Sequence, residues 1–234
     1  IFECMIGALT HNDYLNLVKN KKINGLIDKS SQIQPSSIDL TLSDEGYEIK
    51  ASFLAPNCKV RDKLKKISVK KIELKHGIIF KKNKTYIVRL NENLKLNNFV
   101  KGHCNPKSTT GRLNIFCRTI LDYSDEYEKI PTNYKGEMFL EITSRSYNIK
   151  FRKGDKINQM RLTNKKNAYI NDKNLKLINK KKSLIFPKKN NAIDNGLKLS
   201  VDLSNDNKIC AYESKNVSTH IDFSKIQYYN HQNL

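Results

Sequence analysis

The sequence predicts an all-β barrel or sandwich preceded by one short helix. Two observations carry this reading. Short stretches of apolar–polar alternation recur between polar turns along most of the first 162 residues, and a helical pattern occurs near the start. The 11 Tyr and 9 Phe are enough to build a core in a chain of 234 residues, a length that suits one large domain or one domain plus part of another.

The elements follow in order. Thr10 is placed to cap a helix with Asp13 three residues on, and Tyr14, Leu17 and Val18 share one face. After Pro35, the run Ser36-Ser37-Ile38-Asp39-Leu40-Thr41-Leu42 alternates as a half-buried strand does. Further strands are expected at Tyr47–Phe53, Ile67–Leu74, Gly77–Phe80 and Thr85–Leu90. The pattern continues at Ile115–Ile120, Met138–Thr143, Tyr147–Phe151 and Ile157–Leu162.

A first domain is expected over residues 1–164. A Lys- and Asn-rich section without arginine, 165–234, follows as a linker and the start of a second, truncated half. Ser200-Val201-Asp202-Leu203-Ser204 echoes Ser37-Ile38-Asp39-Leu40-Thr41, and Tyr212-Glu213 echoes Tyr47-Glu48. With Ile1 at its start, the chain reads as a fragment.

Composition narrows the function. No apolar run approaches the ~18 residues of a membrane span, and no secretory signal opens the chain. Cys4, Cys58, Cys104, Cys117 and Cys210 are odd in number and form no CxxC pair, which favours reduced thiols in a cytoplasm. The net charge of +20 invites a nucleic-acid reading, but 36 of the 43 basic residues are Lys spread along the chain. A specific nucleic-acid partner is therefore not expected. The arginines are more telling. Arg112, Arg118, Arg145, Arg152 and Arg161 place five of seven within one 50-residue stretch, and arginine suits planar, bidentate recognition of anions.

Two strings carry chemistry. In Asn105-Pro106-Lys107-Ser108-Thr109-Thr110-Gly111-Arg112-Leu113, Ser108 can cap a short turn, Gly111 allows close backbone approach, and Lys107 and Arg112 bracket the turn with positive charge. That makes a sensible polyphosphate cradle; taken alone, the string also fits a polar turn with a helix cap. In Tyr134-Lys135-Gly136-Glu137-Met138-Phe139-Leu140-Glu141-Ile142, the apolar residues 138, 140 and 142 put Glu137, Phe139 and Glu141 on the other face. A carboxyl within a mostly apolar strand suits a proton shuttle, although a solvated strand face would give the same pattern.

Four strings occur in order: Gln34-Pro-Ser-Ser-Ile-Asp39-Leu40, Asn105-Pro-Lys-Ser-Thr-Thr-Gly-Arg112-Leu113, Tyr134-Lys-Gly136…Leu140-Glu141-Ile142, and Arg152-Lys-Gly154-Asp155…Asn158-Gln159-Met160-Arg161-Leu162. Together they resemble the dCTP deaminases of the dUTPase-like superfamily, in particular the long bacterial form with two dUTPase-like halves. The resemblance covers residues 7–162 and, more faintly, 196–234. It implies a dUTPase-like distorted barrel and hydrolysis of dCTP to dUTP and ammonia without catalytic zinc. Glu141 then matches the general acid/base, Ser108 the serine that places the water, and Arg112 the arginine that supports developing charge. Lys107 and Thr109 match triphosphate contacts, and Gly111, Tyr134 and Gln159 complete the expected substrate site, with Arg145 in a second tier. Magnesium is expected to arrive on the substrate phosphates, and a homo-oligomer is expected with sites near subunit or lobe interfaces.

Two rival readings stay open. A dUTP pyrophosphatase uses an aspartate on the loop before the Tyr-x-Gly turn, and Lys129-Ile130-Pro131-Thr132-Asn133 offers no carboxylate there. A non-enzymatic β module would use the lysine surface to hold RNA. The zinc route of other deaminases needs a Pro-Cys-x-x-Cys motif that the chain lacks.

Overall fold

The computed structural model describes residues 7–164, 170–186, 192–204, 206, 211, 213–214 and 219–228. The expectations for Cys4, Cys210 and Tyr212 lie outside the described residues. The chain divides into one unit made of 1–166 with 215–234 and a second of 167–214.

The first unit opens with α1 (His11–Lys19). Both the backbone N–H and the hydroxyl of Thr10 donate to the Asp13 carboxylate, at 2.8 and 2.7 Å, which fixes the first turn. The buried face carries Tyr14 and Leu17, as the spacing predicts. Tyr14 is further pinned because its hydroxyl accepts from the Leu162 N–H at 2.8 Å.

The main sheet has nine strands. They are β1 (Ile23–Asn24), β2 (Ile38–Ile49), β3 (Ser68–Glu73), β5 (Thr85–Lys95), β6 (Val100–Pro106), β7 (Ile115–Leu121), β8 (Lys129–Ile130), β9 (Lys135–Ser144) and β11 (Lys156–Asn164). Their order is β7-β9-β5-β2-β11-β6-β8, with β1 added on β5 and β3 on β2. The sheet curls into a nearly closed barrel. Asn158 of β11 turns its amide toward the Cys117 thiol of β7, across the opening. A second sheet joins β4 (Ile78–Phe80), β10 (Asn148–Phe151) and β12 (His220–Asp222) in the order β12-β10-β4.

Several strands differ from the sequence-based expectation. Ile38–Leu42 and the segment from Tyr47 are one strand, β2, whose register against β5 slips between Leu42 and Gly46. The slip breaks the alternation and makes one strand look like two. The strand ends at Ile49, short of Phe53, because a covering segment begins there. β6 escapes the periodicity because Gly102, His103, Asn105 and Pro106 interrupt it; its seven register partners on β11 hold it in the sheet. A Cβ at Gly102 would meet the buried Leu162 Cδ2 at 2.5 Å and the Arg161 carbonyl oxygen at 3.0 Å, so a side chain there would have to displace Leu162.

The barrel interior is filled by residues such as Ile38, Leu40, Val88, Leu140, Ile142 and Met160, all buried. A second, smaller core lies on the outer face of β9. There Ala55, Val60 and Leu64, from the loop after β2 and from α3 (Val60–Ile67), pack over Ile49, Ile87, Ile120 and Phe139. Each fully buried aliphatic side chain contributes roughly 1.5–3 kcal/mol. This cover places Phe139, on the outer face of β9, inside the protein.

The described residues of the second unit carry α5 (Asp172–Lys181) and an isolated bridge between Ile193 and Leu197. Asn171 caps α5 by accepting from the Asn174 N–H at 3.0 Å. The echo at 200–204 has no regular secondary structure, and Val201 and Leu203 are exposed.

Candidate active site

Glu141 lies in mid-β9, opposite Arg118 of β7 and Ile87 of β5. The same outer face carries Glu137, which pairs with Arg61, and Phe139, which lies in the small core. Glu141 is only 1% exposed. Its Oε1 accepts two bonds from Arg118, from Nε at 3.1 Å and Nη2 at 2.5 Å. Its Oε2 is buried and has no hydrogen-bond partner. An unsatisfied buried carboxylate oxygen is costly, and a catalytic role is one of the few things that explains keeping one.

Arg118 is itself sandwiched. Its guanidinium carbon lies 3.8 Å from the ring centre of Tyr127 and 5.0 Å from that of Phe116. Around this pair opens a cleft of about 370 Å³, lined by Ser52, Thr85, Asn114, Phe116, Thr143 and Arg145 as well as Arg118 and Glu141. Glu141 and Arg145 thus share one cleft.

The string from Asn105 to Leu113 carries α4 (Ser108–Arg112). Lys107, not Ser108, takes the N-cap position, because the Lys107 carbonyl accepts from Thr110 and Gly111 at 2.9 and 3.2 Å. The Lys107 ammonium is engaged by the Asp39 carboxylate of β2, which is 6% exposed, so its charge is not free as the sequence suggested. Lys107, Ser108 and Thr109 line a cleft of about 320 Å³ together with Gln34, Ser37, Asp39 and Gln159. Gln159 reaches it because β11 pairs it with Asp39 on one side and Asn105 on the other.

The other expected site residues stand apart. Arg112 is exposed and donates to Thr109 Oγ1 at 3.0 Å. Gly111 is helical and faces open space, since a Cβ there would meet nothing within 4 Å; its backbone is not closely approached within this chain. Tyr134 is buried, donates to the Glu137 carbonyl and accepts from the Asp122 N–H, so it braces the turn into β9 and lines neither cleft. Burial raises its hydroxyl above the usual range.

Neither of these two clefts holds both Glu141 and the 107–112 turn. They are linked through α4. Lys107 opens the turn in one cleft, and Asn114 closes it in the other, where its carbonyl accepts from the Arg145 N–H at 3.0 Å. Sequence reasoning picked out Arg118 as an arginine in a dense stretch but gave it no role. Its register opposite Glu141 was the missing signal.

The chain matches the model of the 2'-deoxycytidine 5'-triphosphate deaminase N-terminal domain over residues 5–166 and that of the C-terminal domain over residues 171–234. This chain belongs to the dCTP deaminase family. It is similar to the crystal structure of 2'-deoxycytidine 5'-triphosphate deaminase from Agrobacterium tumefaciens, with a TM-score of 0.85 and 31% sequence identity. That match covers 96% of this chain and 67% of the other. No curated protein sequence matches the chain. As a dCTP deaminase it is an enzyme that converts dCTP to dUTP, and its β-rich barrel with a short leading helix is the fold of that enzyme.

Proposed function

We propose that this dCTP deaminase works through Glu141 as its proton shuttle, and that one observation carries the assignment: a buried carboxylate with Oε1 tied to Arg118 and Oε2 unpartnered beside an open cleft. Water attacks C4 of cytosine while Oε2 takes its proton, and that proton passes to N3. The new C4 hydroxyl then yields its proton through the same carboxyl to the amino group. The C4–N bond breaks, ammonia leaves, and the carbonyl of dUTP remains. Atoms balance with one water consumed and one ammonia released, and no step needs a metal-bound hydroxide. Shuttling of this kind contributes roughly 10²–10⁴ in rate.

Ser108, Thr109, Lys107 and Gln159 supply the other half of the substrate site, with Arg112 and Gly111 on the exposed side of α4. Because the two clefts are separate in one chain, we assign the chain to a homo-oligomer in which the 107–112 turn of one copy faces the Glu141 cleft of another. Magnesium enters on the substrate triphosphate. Among the described residues no three His, Cys, Asp or Glu side chains cluster as a cation cage. Burial pushes the Cys117 thiol up to about 12 and Cys104 higher still, so both are inert thiols rather than ligands or nucleophiles. Reduced Cys58, Cys104 and Cys117 suit a cytoplasmic enzyme, and among the described residues no helix is long and apolar enough to cross a membrane.

The test is a product assay with dCTP and dUTP side by side. Ammonia from dCTP without pyrophosphate from either nucleotide is expected. Pyrophosphate from dUTP would instead point to a dUTPase activity, and salt-sensitive RNA affinity with no response to dCTP would point to a binding module.

A further inference from the structure

The loop of residues 122–128, between β7 and β8, does more than join strands. Glu128 is locked onto Thr119, the residue after Arg118. The Thr119 N–H donates to Glu128 Oε1 at 2.9 Å, and the Glu128 N–H donates back to the Thr119 carbonyl at 3.0 Å. The Glu128 carbonyl in turn accepts from the Cys104 N–H of β6 at 2.8 Å. The loop reaches this position with two non-glycine residues in the left-handed region, Tyr123 at φ 55° and Glu128 at φ 67°. Such backbone is held only where the surroundings fix it. Tyr127, next to the clamp, is tied at its far end by a hydrogen bond from its hydroxyl to the Phe53 carbonyl at 3.2 Å. Its ring centre then lies 3.8 Å from the Arg118 guanidinium carbon.

We propose that Tyr127 and Glu128 are positioning residues of the reaction: the Glu128–Thr119 clamp presses Tyr127 onto Arg118, and Arg118 thereby fixes Glu141 with Oε1 occupied and Oε2 presented to the substrate. The proposal rests on the reading of Glu141 as proton shuttle. Without the stacked ring, the guanidinium is free to rotate about its long side chain and to compete for both carboxylate oxygens. The clamp needs an acceptor at Glu128 rather than a charge. Burial pushes the Glu128 carboxyl up to about 7, and its Oε2 is buried without a partner, so a neutral amide is a close mimic of the protonated side chain.

Steady-state deamination of dCTP by the full chain tests this. Tyr127→Leu and Glu128→Ala should each lower kcat roughly 10- to 100-fold with KM changed less than about 3-fold, as expected for a misplaced acid/base. Glu128→Gln, which keeps the acceptor, should retain most of kcat; so should Tyr127→Phe, which keeps the ring. Wild-type kcat in folded Tyr127→Leu, or a loss confined to KM, would overturn the proposal. So would an equal loss in Glu128→Gln and Glu128→Ala. Should the leucine variant not fold, Arg118→Lys decides: lysine keeps the charge but cannot make the paired bonds to Oε1, and an unchanged kcat would overturn the proposal. Failure of the parent reading looks different, because Glu141→Gln would then turn over normally whatever Tyr127 does.

Discussion

At the scale of single residues, several carboxyl groups are held inside the protein, Asp39, Glu92 and Glu141 among them. Asp39 is buried and its partner is the Lys107 ammonium. Removing one member of such a pair leaves an uncompensated charge, whereas removing both is often tolerated. Lys107→Met is therefore expected to cost about 2–3 kcal/mol, below the range for a fully buried pair because Lys107 is 32% exposed. Asp39→Asn combined with Lys107→Met should recover most of that loss. Urea denaturation of the two variants measures it. Glu92 is another buried carboxyl, and it accepts from Gln32 and from the Thr41 backbone and hydroxyl, so its role is to knit β2 to β5.

At the scale of elements, α3 and the loop before it build the outer core beside Glu141, where Val60 and Leu64 cluster with Phe139 and Tyr127 packs against the same group. Without Val60 and Leu64, Phe139 on the outer face of β9 would lose part of its cover. Leu64→Ala should cost about 2–5 kcal/mol, as large-to-small changes in cores do, and should lower turnover more than KM changes. Thermal unfolding together with dCTP kinetics separates the two effects. The cap of α1 is a smaller matter: Asp13→Ala should destabilise by about 1 kcal/mol.

Much of this scale was legible in the sequence, since Thr10, Asp13, Tyr14 and Leu17 announce α1, and β5, β7, β9 and β11 follow their alternation. The outer core was not. Val60 and Leu64 sit four apart among lysines in a helix of eight residues, too short a pattern to stand out. Because that cover was not foreseen, the face shared by Phe139 and Glu141 stayed ambiguous. Likewise, the Lys107–Asp39 pair joins residues 68 apart, and no local pattern reports a contact of that kind.

At the scale of the whole molecule, the buried acids set the pH dependence of stability. Burial raises Glu128 to about 7 and Asp155 to about 6, above the roughly 4 of free carboxyls. Between about pH 4.5 and 7 the folded state thus binds more protons than the unfolded chain, so these groups make stability fall as pH rises. Other acids pull the opposite way at lower pH. Arg61 holds Glu45 down to about 2, and Arg152 depresses Asp222, so their stabilisation is fully present above about pH 4 and is lost as pH falls through their lowered values. Maximum stability near pH 5 is the expected outcome. Thermal melting from pH 3 to pH 8 checks it, and Glu128→Gln should flatten the decline above pH 5.

Deamination turns on the carboxyl in mid-β9, and ammonia release from dCTP by Glu141→Gln, measured beside the unaltered enzyme, tests this. The amide keeps the shape of the side chain and an acceptor for Arg118 but cannot carry a proton. Turnover should fall roughly 10²–10⁴-fold while dCTP still raises the melting temperature. Undiminished ammonia release by that variant would contradict the central claim.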